Sequence, residues 1–571
     1  MKRVIVLIVA VVAIAAAVNL LKTSDAEACG GGYAIVDVSL IPMTIDGVLD
    51  HQTVIVTGDE ISAVGPTSDV SVPDGLCVID GQGQYLMPGL SDAHAHLFDD
   101  GDLSLYLTHG VTSILNMSGS YQHLWMRDAL LAGELDGPAL YTTGPMVKMD
   151  AQPIVEFEDN PLNEEFASEL VRRHHAAGYD FLKVWGTFDP AIYASMMDTA
   201  RELDFPVTGH IARAVGLQGI LDQGQISIAH VEELFSRHFN DAPTPEGIAE
   251  VTQLLAGRDV TVTTTLVTYE AIASSIAEDI TPLMTREGSA YMDPARLGMW
   301  GPGGNRFRNQ SRLGRDAHYL SQMAEMQEIT RALSEGGVRL LAGVDAGELP
   351  GLVPGFDLHR ELELMVGAGM SNQTVLRSAT QNFGAYLNNM NVEVDRMGEI
   401  SVGARADLLL LSANPLDDIS NTRAISAVMT RGAYYDQTAL NELISSLAAR
   451  NAATGQYFGA LMSGGIEAGA EHIASWEHED VPPFGYFSSV FFSIGQAMQG
   501  DPVGAEATLK QITGVFPDRT ETWFLLGGLR AMMGNPTEAL EAYDQALVIA
   551  PDHERVQRDR AILVQSMATA N

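Results

Sequence analysis

Residues 87–96 have the sequence Met-Pro-Gly-Leu-Ser-Asp-Ala-His-Ala-His, an apolar run that ends in two histidines. Alternate side chains of a β-strand lie on the same face, so this run places His94 and His96 side by side if it is a strand. Two imidazoles on one face can bind a borderline metal ion such as Zn²⁺. An isolated His-x-His pair is more often structural, so the surrounding sequence decides its meaning.

Apolar runs followed by helical segments repeat from Met87 to about Leu387. Such βα units over about 300 residues favour a parallel (β/α)8 barrel, an α/β TIM-barrel fold, over an open sheet. Barrel enzymes place their ligands at the carboxyl ends of the strands, and Leu97-Phe98-Asp99-Asp100 after the two histidines is typical of such an end. The runs in question are Val111–Leu115, Phe181–Trp185, Val207–His210, Ile226–His230, Val260–Thr264 and Leu340–Asp345.

The chain of 571 residues is too long for one core, and its texture predicts further units. Strand-rich segments at 29–86 and 391–436 flank the barrel at 87–390, and we expect them to form one small β-sandwich together. Residues 437–571 have a helical pattern. Within this tail Gly500, Ala505, Leu509 and Pro517 recur 34 residues later as Gly534, Ala539, Tyr543 and Pro551. This spacing resembles the tetratricopeptide repeat, with copies at about 484–518 and 519–553.

The charge balance limits the partners. A formal net charge of -40 repels phosphate backbones and anionic lipid headgroups, so nucleic acid is excluded as a partner. A small molecule or a dipeptide is the expected substrate. The C-terminal repeats leave a protein partner or self-association open, although two copies bury their apolar faces only by packing against something else.

The first residues are typical of an exported protein. Met1-Lys2-Arg3, an apolar run to about Leu21 and the motif Ala26-Glu27-Ala28 predict a signal peptide at 1–28, and thus a periplasmic or secreted protein. The apolar run is also long enough for an uncleaved inner-membrane anchor. Cys29 and Cys77 are the only two cysteines, so one disulfide is the most that can form and a cysteine metal cluster is excluded.

Other apolar runs also end in residues that bind metals: His210, His230 and Asp345 each close one. Each alone is more often a structural residue, but together with the first pair they give four imidazoles and one carboxylate at the ends of separate βα units. Lys183 lies within an apolar strand, where a bare ammonium is costly to desolvate. Such a lysine usually reaches solvent or forms a salt bridge. Alternatively its amine is neutral and reacts with carbon dioxide to give an anionic carbamate.

The order His-x-His, Lys, His, His, Asp resembles the amidohydrolase superfamily over roughly 33–436, together with Pro88-Gly89-Leu90-x-Asp92 and the late segment Gly403-Ala-Arg-Ala-Asp-Leu408. The motifs Gly209-His-Ile211 and Ile228-Ala-His-Val-Glu232 are similar to its imidazolonepropionase-like and Xaa-Pro dipeptidase branch. The resemblance implies a barrel beside a β-sandwich and a binuclear centre of two divalent ions, expected to be zinc. It implies that His94, His96 and Asp345 bind one ion and His210 and His230 the other, with carbamylated Lys183 as the bridge.

Such a centre predicts hydrolysis of an amide or peptide bond by a metal-bridging hydroxide, with Asp345 as the catalytic acid and base. A prolidase-like dipeptidase is the most concrete form. Two residues are candidates for substrate binding: Arg213, three residues after His210, and Tyr269, which ends the run from Thr261. Two neighbouring histidines, His174 and His175, have the pattern of helix-surface residues and are assigned no role.

Two alternatives remain open. One is a mononuclear cyclic amidase or deaminase, similar to imidazolonepropionase, in which Lys183 is unmodified. The other is a protein of a different class, a periplasmic binding or scaffold protein that acts through the tetratricopeptide-like tail and keeps the barrel only as a framework.

Overall fold

The computed structural model describes residues 31–149, 158–301, 305, 307–308, 316–347, 349–392, 394–477, 481–551 and 553–570. The predicted signal peptide therefore lies outside the described residues. Among the residues described, no helix has both the length and the apolar character needed to cross a membrane.

Both flanks of the barrel contribute to one eight-stranded sheet. Its strands from the N-terminal flank are Gly32–Leu40, Leu49–Thr57, Glu60–Pro66, Cys77–Asp80 and Tyr85–Pro88, and those from the C-terminal flank are Leu408–Leu411, Ile425–Thr430 and Ala433–Asp436. The flanks join where Leu408–Leu411 pairs antiparallel with Tyr85–Pro88. Alternate residues such as Val54, Val56, Leu408 and Leu410 point into one buried apolar cluster. The predicted union of the two flanks is confirmed.

Eight parallel strands form the barrel, in three hydrogen-bonded groups. They are Leu90–Ala95, Val111–Asn116, Ala139–Thr142, Leu182–Val184, Val207–Gly209, Ser227–Ala229, Thr261–Thr263 and Arg339–Leu341. Parallel bridges from Thr143 to Phe181 and from Ala95 to Ala346 join the groups, and Thr208 and Ser227 share a hydroxyl hydrogen bond of 2.8 Å at the third junction. The short strands Met146–Val147 and Glu158–Asp159 form an extension beside the fourth barrel strand. The predicted TIM-barrel fold class is confirmed.

The helices of the barrel surround these strands, and the remaining helices form the C-terminal tail. Those of the barrel are Gly101–Thr108, Tyr121–Leu131, Glu164–Ala176, Pro190–Glu202, Gly216–Asp222, Val231–Glu233, Pro245–Gly257, Val267–Ile276, Thr281–Met284, Pro294–Trp300, Asp316–Glu335, Phe356–Gly367, Asn372–Ser378 and Gln381–Asn389. Those of the tail are Gln437–Ala474, Tyr486–Met498, Pro502–Val515, Thr520–Met532, Pro536–Ile549 and Glu554–Ala570.

The tail contains two matching helix pairs. The pair Thr520–Met532 and Pro536–Ile549 repeats the pair Tyr486–Met498 and Pro502–Val515, because every helix boundary recurs 34 residues later. Gly500 and Gly534 occupy the same place in the turn of each pair and both have a positive φ, 88° and 81°. The predicted repeat period is therefore present in the structure.

The tail packs against the loop that follows the first barrel strand. The Phe98 ring lies 5.2 Å from that of Phe487 and 6.0 Å from that of Phe491, both on the helix Tyr486–Met498. Arg450, on the helix Gln437–Ala474, forms ion pairs with Asp99 and Asp100 of the same loop. The tail thus covers the carboxyl end of the barrel.

Candidate metal centre

The first barrel strand carries His94 and His96 to the carboxyl end of the barrel, where both are almost fully buried. Asp345 follows the last barrel strand and reaches both imidazoles. Its Oδ1 lies 3.3 Å from His94 Nε2 and 2.9 Å from His96 Nε2. Residues from the first and last strands meet because the chain of parallel strands brings them together at one end of the barrel.

The remaining three predicted ligands lie against this group. The His230 ring is 4.3 Å from that of His94, and the His210 ring is 4.9 Å from that of His230. The amine Nζ of Lys183 lies 3.5 Å from His94 Nε2, and only 1% of the residue is exposed, so the amine does not reach solvent. The structure therefore brings together all six side chains that the sequence analysis selected.

Unusual backbone geometry aims several of these side chains. His230 and Asp345 have φ values of 70° and 62°, a left-handed region that non-glycine residues seldom adopt. Gly209, directly before His210, has a φ of 127°, and a Cβ there would lie 2.2 Å from the carbonyl oxygen of Val184. Strained conformations of this kind concentrate at functional sites.

Buried hydrogen bonds fix the orientation of the histidines. His210 Nδ1 lies 2.7 Å from Glu233 Oε1, and His230 Nδ1 lies 2.8 Å from the hydroxyl of Thr265. Glu361 accepts hydrogen bonds from the Thr264 hydroxyl (2.5 Å) and the Val267 backbone N–H (2.7 Å), which hold the turn that carries Thr265. In metal sites such partners leave the opposite ring nitrogen directed at the ion.

Asp92 ties the two ends of the strand array together. Its Oδ1 accepts hydrogen bonds from the backbone N–H groups of His94 (3.0 Å) and Val344 (3.1 Å). His94 is itself a predicted ligand, and Val344 directly precedes another, Asp345. Burial raises the pKa of Asp92 to about 8 despite these hydrogen bonds. This carboxyl therefore positions the loop of Asp345 relative to the first strand.

The protonation states suit a cation. Burial, followed by the charge of Lys183, lowers the pKa of His94 to about 3, and burial beside His94 lowers that of His230 well below its usual value. Burial acts to raise the pKa of Asp345, but His94, His96 and His230 outweigh it and hold this pKa well below its usual range. Neutral imidazoles and an ionised carboxylate are the forms that bind metal ions.

The donor atoms also fit one ion by distance. Ligand atoms of His94, His230 and Asp345 all lie within 4.8 Å of one another, and all three residues are buried. Nitrogen and carboxylate donors in a tight cluster are the set preferred by Zn²⁺ and related divalent metals. The cluster therefore supports metal binding, while the ligand role of each residue stays a prediction.

The two predicted substrate-binding residues lie in a helix and in a loop. Tyr269 does not end a strand: the strand stops at Thr263, Thr265 turns the chain with a φ of 50°, and Tyr269 lies within the helix Val267–Ile276. Arg213 is exposed and lies in the loop before the helix Gly216–Asp222. Their proposed contacts with a substrate remain predictions.

Sequence reasoning missed the residues that support the ligands. Glu233, Thr265 and Glu361 carry no metal-ligand spacing, and their contacts with the site arise only from tertiary packing. Glu233 alone had a signal, since it lies three residues after His230 in a stretch with a second acid, Glu232. His174, predicted as a surface residue, is buried because the strand Glu158–Asp159 packs Asp159 against it at 2.8 Å.

Aromatic rings flank the cluster on two sides. The Phe98 ring is stacked 6.4 Å from the His96 ring, and on its other contacts it packs against the rings of Phe487 and Phe491 of the tail. On the other side the Trp185 ring lies 5.7 Å from that of His210, with Lys148 Nζ 5.0 Å from the Trp185 ring centre. The cluster thus lies between apolar surfaces, one of which depends on the tail.

A TIM barrel with a sheet built from its two flanks, and with a buried His-His-Asp cluster at the carboxyl end of its strands, defines the class of metal-binding barrel hydrolases. The chain belongs to the Amidohydrolase family, whose model matches residues 85–434. A tetratricopeptide repeat model matches residues 496–562. Both resemblances found in the sequence are confirmed.

Similar proteins agree with this fold. The chain is 23% identical to bottromycin amidohydrolase, with a TM-score of 0.59 over 74% of this chain and 90% of that one. It is 18% identical to a Xaa-Pro dipeptidase with bound methionine in its active site, with a TM-score of 0.54 over 71% of this chain and 100% of that one. An adenine deaminase of Staphylothermus marinus is 30% identical over 105 residues, and one of Paracoccus denitrificans is 30% identical over 127. These matches span only 17% and 21% of the lengths of the two deaminases.

Proposed function

We propose that this hydrolase is an exported enzyme that cleaves an amide or peptide C–N bond and depends on two divalent cations, of which zinc is the best fit to the ligands. The observation that carries the proposal is the position of Lys183. Its buried amine lies 3.5 Å from His94 Nε2, where an ammonium would be poorly solvated. A carbamate on this nitrogen supplies the anionic bridge that two close cations need.

His94, His96 and Asp345 would hold one cation, and His210 and His230 the other, with carbamylated Lys183 between them. The carbamate and Asp345 offset part of the positive charge of the pair. When bound, the cations lower the pKa of a water molecule toward neutrality and polarise the scissile carbonyl.

The protein residues perform the proton transfers. Asp345 lies against His94 and His96, so its carboxylate is placed to accept a proton from the attacking water and donate it to the departing nitrogen. Glu233 and Thr265 keep His210 and His230 in fixed orientations during these steps. Phe98 and Trp185 limit the access of bulk water on two sides.

A prolidase-like dipeptidase is the substrate assignment we favour. The family motifs around His210 and His230 support it, and the Xaa-Pro dipeptidase with a TM-score of 0.54 has the same fold. The aromatic surface from Phe98 to Phe491 suits an apolar residue of a dipeptide. Screening the mature, metal-loaded protein on Xaa-Pro dipeptides, acylated amino acids and cyclic imides tests the assignment, and turnover confined to cyclic imides would contradict it.

Metal counting tests the bridge. We expect two equivalents of zinc per chain in the wild type and in the matched control Lys510→Ala, whose side chain is 54% exposed. Lys183→Ala should lose at least one equivalent and most of the hydrolysis rate, because no other anion replaces the carbamate. Full activity of Lys183→Ala with one equivalent of metal would disprove the binuclear centre.

A mononuclear cyclic amidase or deaminase is the second candidate. Two observations favour it: the cluster of His94, His230 and Asp345 is sufficient for one ion, and the adenine deaminases share 30% identity with part of the chain. Release of ammonia from adenine by the enzyme with one equivalent of metal, together with inactivity on dipeptides, would establish this function instead.

Export is supported by the basic start, the apolar run and the Ala26-Glu27-Ala28 motif of the first residues. Expression with and without residues 1–28, followed by fractionation of the cells, tests it. The scaffold function of the tail has less support, because its buried apolar side chains pack against one another and against Phe98 of the barrel.

A further inference from the structure

A cavity of about 290 Å³ lies between the barrel and the tail, and none of the six predicted ligands lines it. The barrel contributes the loops that follow its second and third strands, and the helix Glu164–Ala176. The tail contributes the helix Thr520–Met532 and the first residues of Glu554–Ala570. The volume corresponds to the lower end of small-molecule sites, which are about 300 to 1,000 Å³.

The cavity has a positive lining in a strongly acidic chain. Arg173 from the barrel and Arg555 and Arg558 from the tail line it, although the chain has 33 basic against 73 acidic residues. Arg558 forms a solvent-exposed pair with Asp559. The acidic residue that lines the cavity, Asp159, lies 2.8 Å from His174 Nε2. Burial acts to raise the pKa of Asp159, but His174, Arg173 and Arg555 outweigh it and lower this pKa, so both guanidinium charges act at the cavity.

Three buried nitrogen atoms at the cavity lack a hydrogen-bond partner in the described part of the chain. They are Arg173 Nε, His174 Nδ1 and His553 Nδ1. His174 and His553 are 4% and 7% exposed, so water around the protein does not compensate them. Native proteins leave few buried polar atoms unsatisfied, and each one calls for an explanation. The residues that carry these atoms line one cavity, so the polar groups around it are not fully paired within the described part of the chain.

One wall of the cavity is aromatic. The Tyr121 and His553 rings are stacked at 4.2 Å with an angle of 20° between their planes, and the Phe524 ring lies 6.0 Å from His553. The guanidinium of Arg555 lies 5.2 Å from the centre of the Phe524 ring. A flat apolar wall beside guanidinium groups suits a molecule with a planar ring and a negative group.

We propose that this cavity is a second ligand site, separate from the metal centre, and that it binds a small aromatic carboxylate. The carboxylate pairs with Arg173 and Arg555, and the ring packs against Phe524 and His553. Arginine recognises planar carboxylates through paired hydrogen bonds, which explains two guanidinium groups from opposite walls. Since one arginine belongs to the barrel and the other to the tail, the bound molecule joins the two units and stabilises their contact.

Calorimetric titration of the metal-loaded full chain tests the proposal, with benzoate as the probe, benzyl alcohol as its neutral counterpart and inorganic phosphate as the competing anion. Benzoate should bind and raise Tm. Benzyl alcohol, which loses the charge-assisted contact, and phosphate, which lacks the aromatic ring, should each bind at least about tenfold more weakly. Equal or tighter binding of phosphate would overturn the choice of a carboxylate, and absence of benzoate binding at millimolar concentration would overturn the site.

Variants locate the binding. Arg173→Ala and Arg555→Ala should each weaken the binding of benzoate about tenfold. Arg172→Ala should not, since Arg172 lies on the same helix as Arg173 but is exposed and pairs with Glu202. If Arg173→Ala fails to fold, Arg555→Ala in the tail decides the question alone. His94→Ala should leave benzoate binding unchanged, and loss of binding in that variant would assign the benzoate to the metal centre and refute the second site.

Discussion

At the scale of single residues, the ligand geometry depends on backbone conformations that are costly. The left-handed φ values of His230 and Asp345 each cost of order 1–3 kcal/mol. A hydrogen bond between His230 Nδ1 and the Thr265 hydroxyl, and one donated by the Val344 backbone N–H to Asp92, hold these conformations. The strain is therefore local to the ends of the strands, where the six side chains meet.

Gly209→Ala should lower the metal content and the hydrolysis rate at least about tenfold, because the new Cβ would lie 2.2 Å from the Val184 carbonyl oxygen and displace His210. Gly216→Ala is the matched control. It also has a positive φ, of 74°, but a Cβ there has no neighbour within 4 Å. Metal analysis of both variants checks this expectation, and equal losses would attribute the effect to backbone strain alone.

Glu361→Gln should flatten the pH dependence of stability. Burial raises the pKa of Glu361 from 4.5 to about 7, so the folded state retains a proton that the unfolded state releases. The stability from this group is therefore complete below pH 4.5 and is lost as the pH rises to about 7, by up to about 3 kcal/mol. Tm measured from pH 5 to 8 should fall more steeply for the wild type than for the variant.

Glu363→Gln, on the same helix, is the control for this measurement. Burial acts to raise the pKa of Glu363, but Arg360 and Arg423 outweigh it and lower this pKa, so its stabilising effect is lost only at acid pH. The Tm profile of this variant between pH 5 and 8 should follow the wild type. Parallel profiles for Glu361→Gln and the wild type would contradict the buried, protonated Glu361.

The candidate ligands were predictable from the sequence because each follows an apolar run, and parallel strands bring their carboxyl ends together. The role of Lys183 was predictable only from its position between His96 and His210 in the family's order of ligands. Glu361 and Thr265 were not, because their effect on His230 passes through a turn that the run from Thr261 to Tyr269 did not reveal. The same turn places Tyr269 within the helix Val267–Ile276. The contact of the tail with Phe98 has no local signal, since it joins residues nearly 400 positions apart.

At the scale of elements, one buried pair joins the sheet to the barrel. Arg405 forms an ion pair with Asp407. It also donates hydrogen bonds to the Ser113 hydroxyl (2.9 Å) of the second barrel strand and to the Tyr141 hydroxyl (3.1 Å) of the third. The late segment Gly403-Ala-Arg-Ala-Asp-Leu408 therefore has a structural basis. It holds the C-terminal flank against the barrel.

Arg405→Ala should destabilise the protein by about 3–5 kcal/mol, because it leaves the buried carboxylate of Asp407 without its partner. The double variant Arg405→Met with Asp407→Leu should lose less, since it removes both charges. Urea unfolding of the metal-loaded proteins measures the difference. A double variant less stable than the single one would show that the hydrogen bond that Asp407 accepts from the Arg431 backbone N–H outweighs the cost of its isolated charge.

At the scale of the whole molecule, the tail packs against the barrel loop that follows the predicted ligands His94 and His96. A chain that ends at Asp436 would expose Phe98 and remove the partner of Asp99 and Asp100. We expect it to unfold at a lower temperature and to lose most of its hydrolysis rate. A chain that ends at Ala550 keeps these contacts and should retain activity. Full activity of the shorter chain, measured with thermal unfolding of both, would show that the tail is dispensable.

The pairing of Arg450 with Asp99 and Asp100 also affects the order in which the molecule matures. The loop that contains Asp100 is synthesised 350 residues before its guanidinium partner. At about 5–20 residues per second, this interval is roughly 20 to 70 s. The loop beside the first two histidines therefore gains these ion pairs only after the helix Gln437–Ala474 has been synthesised.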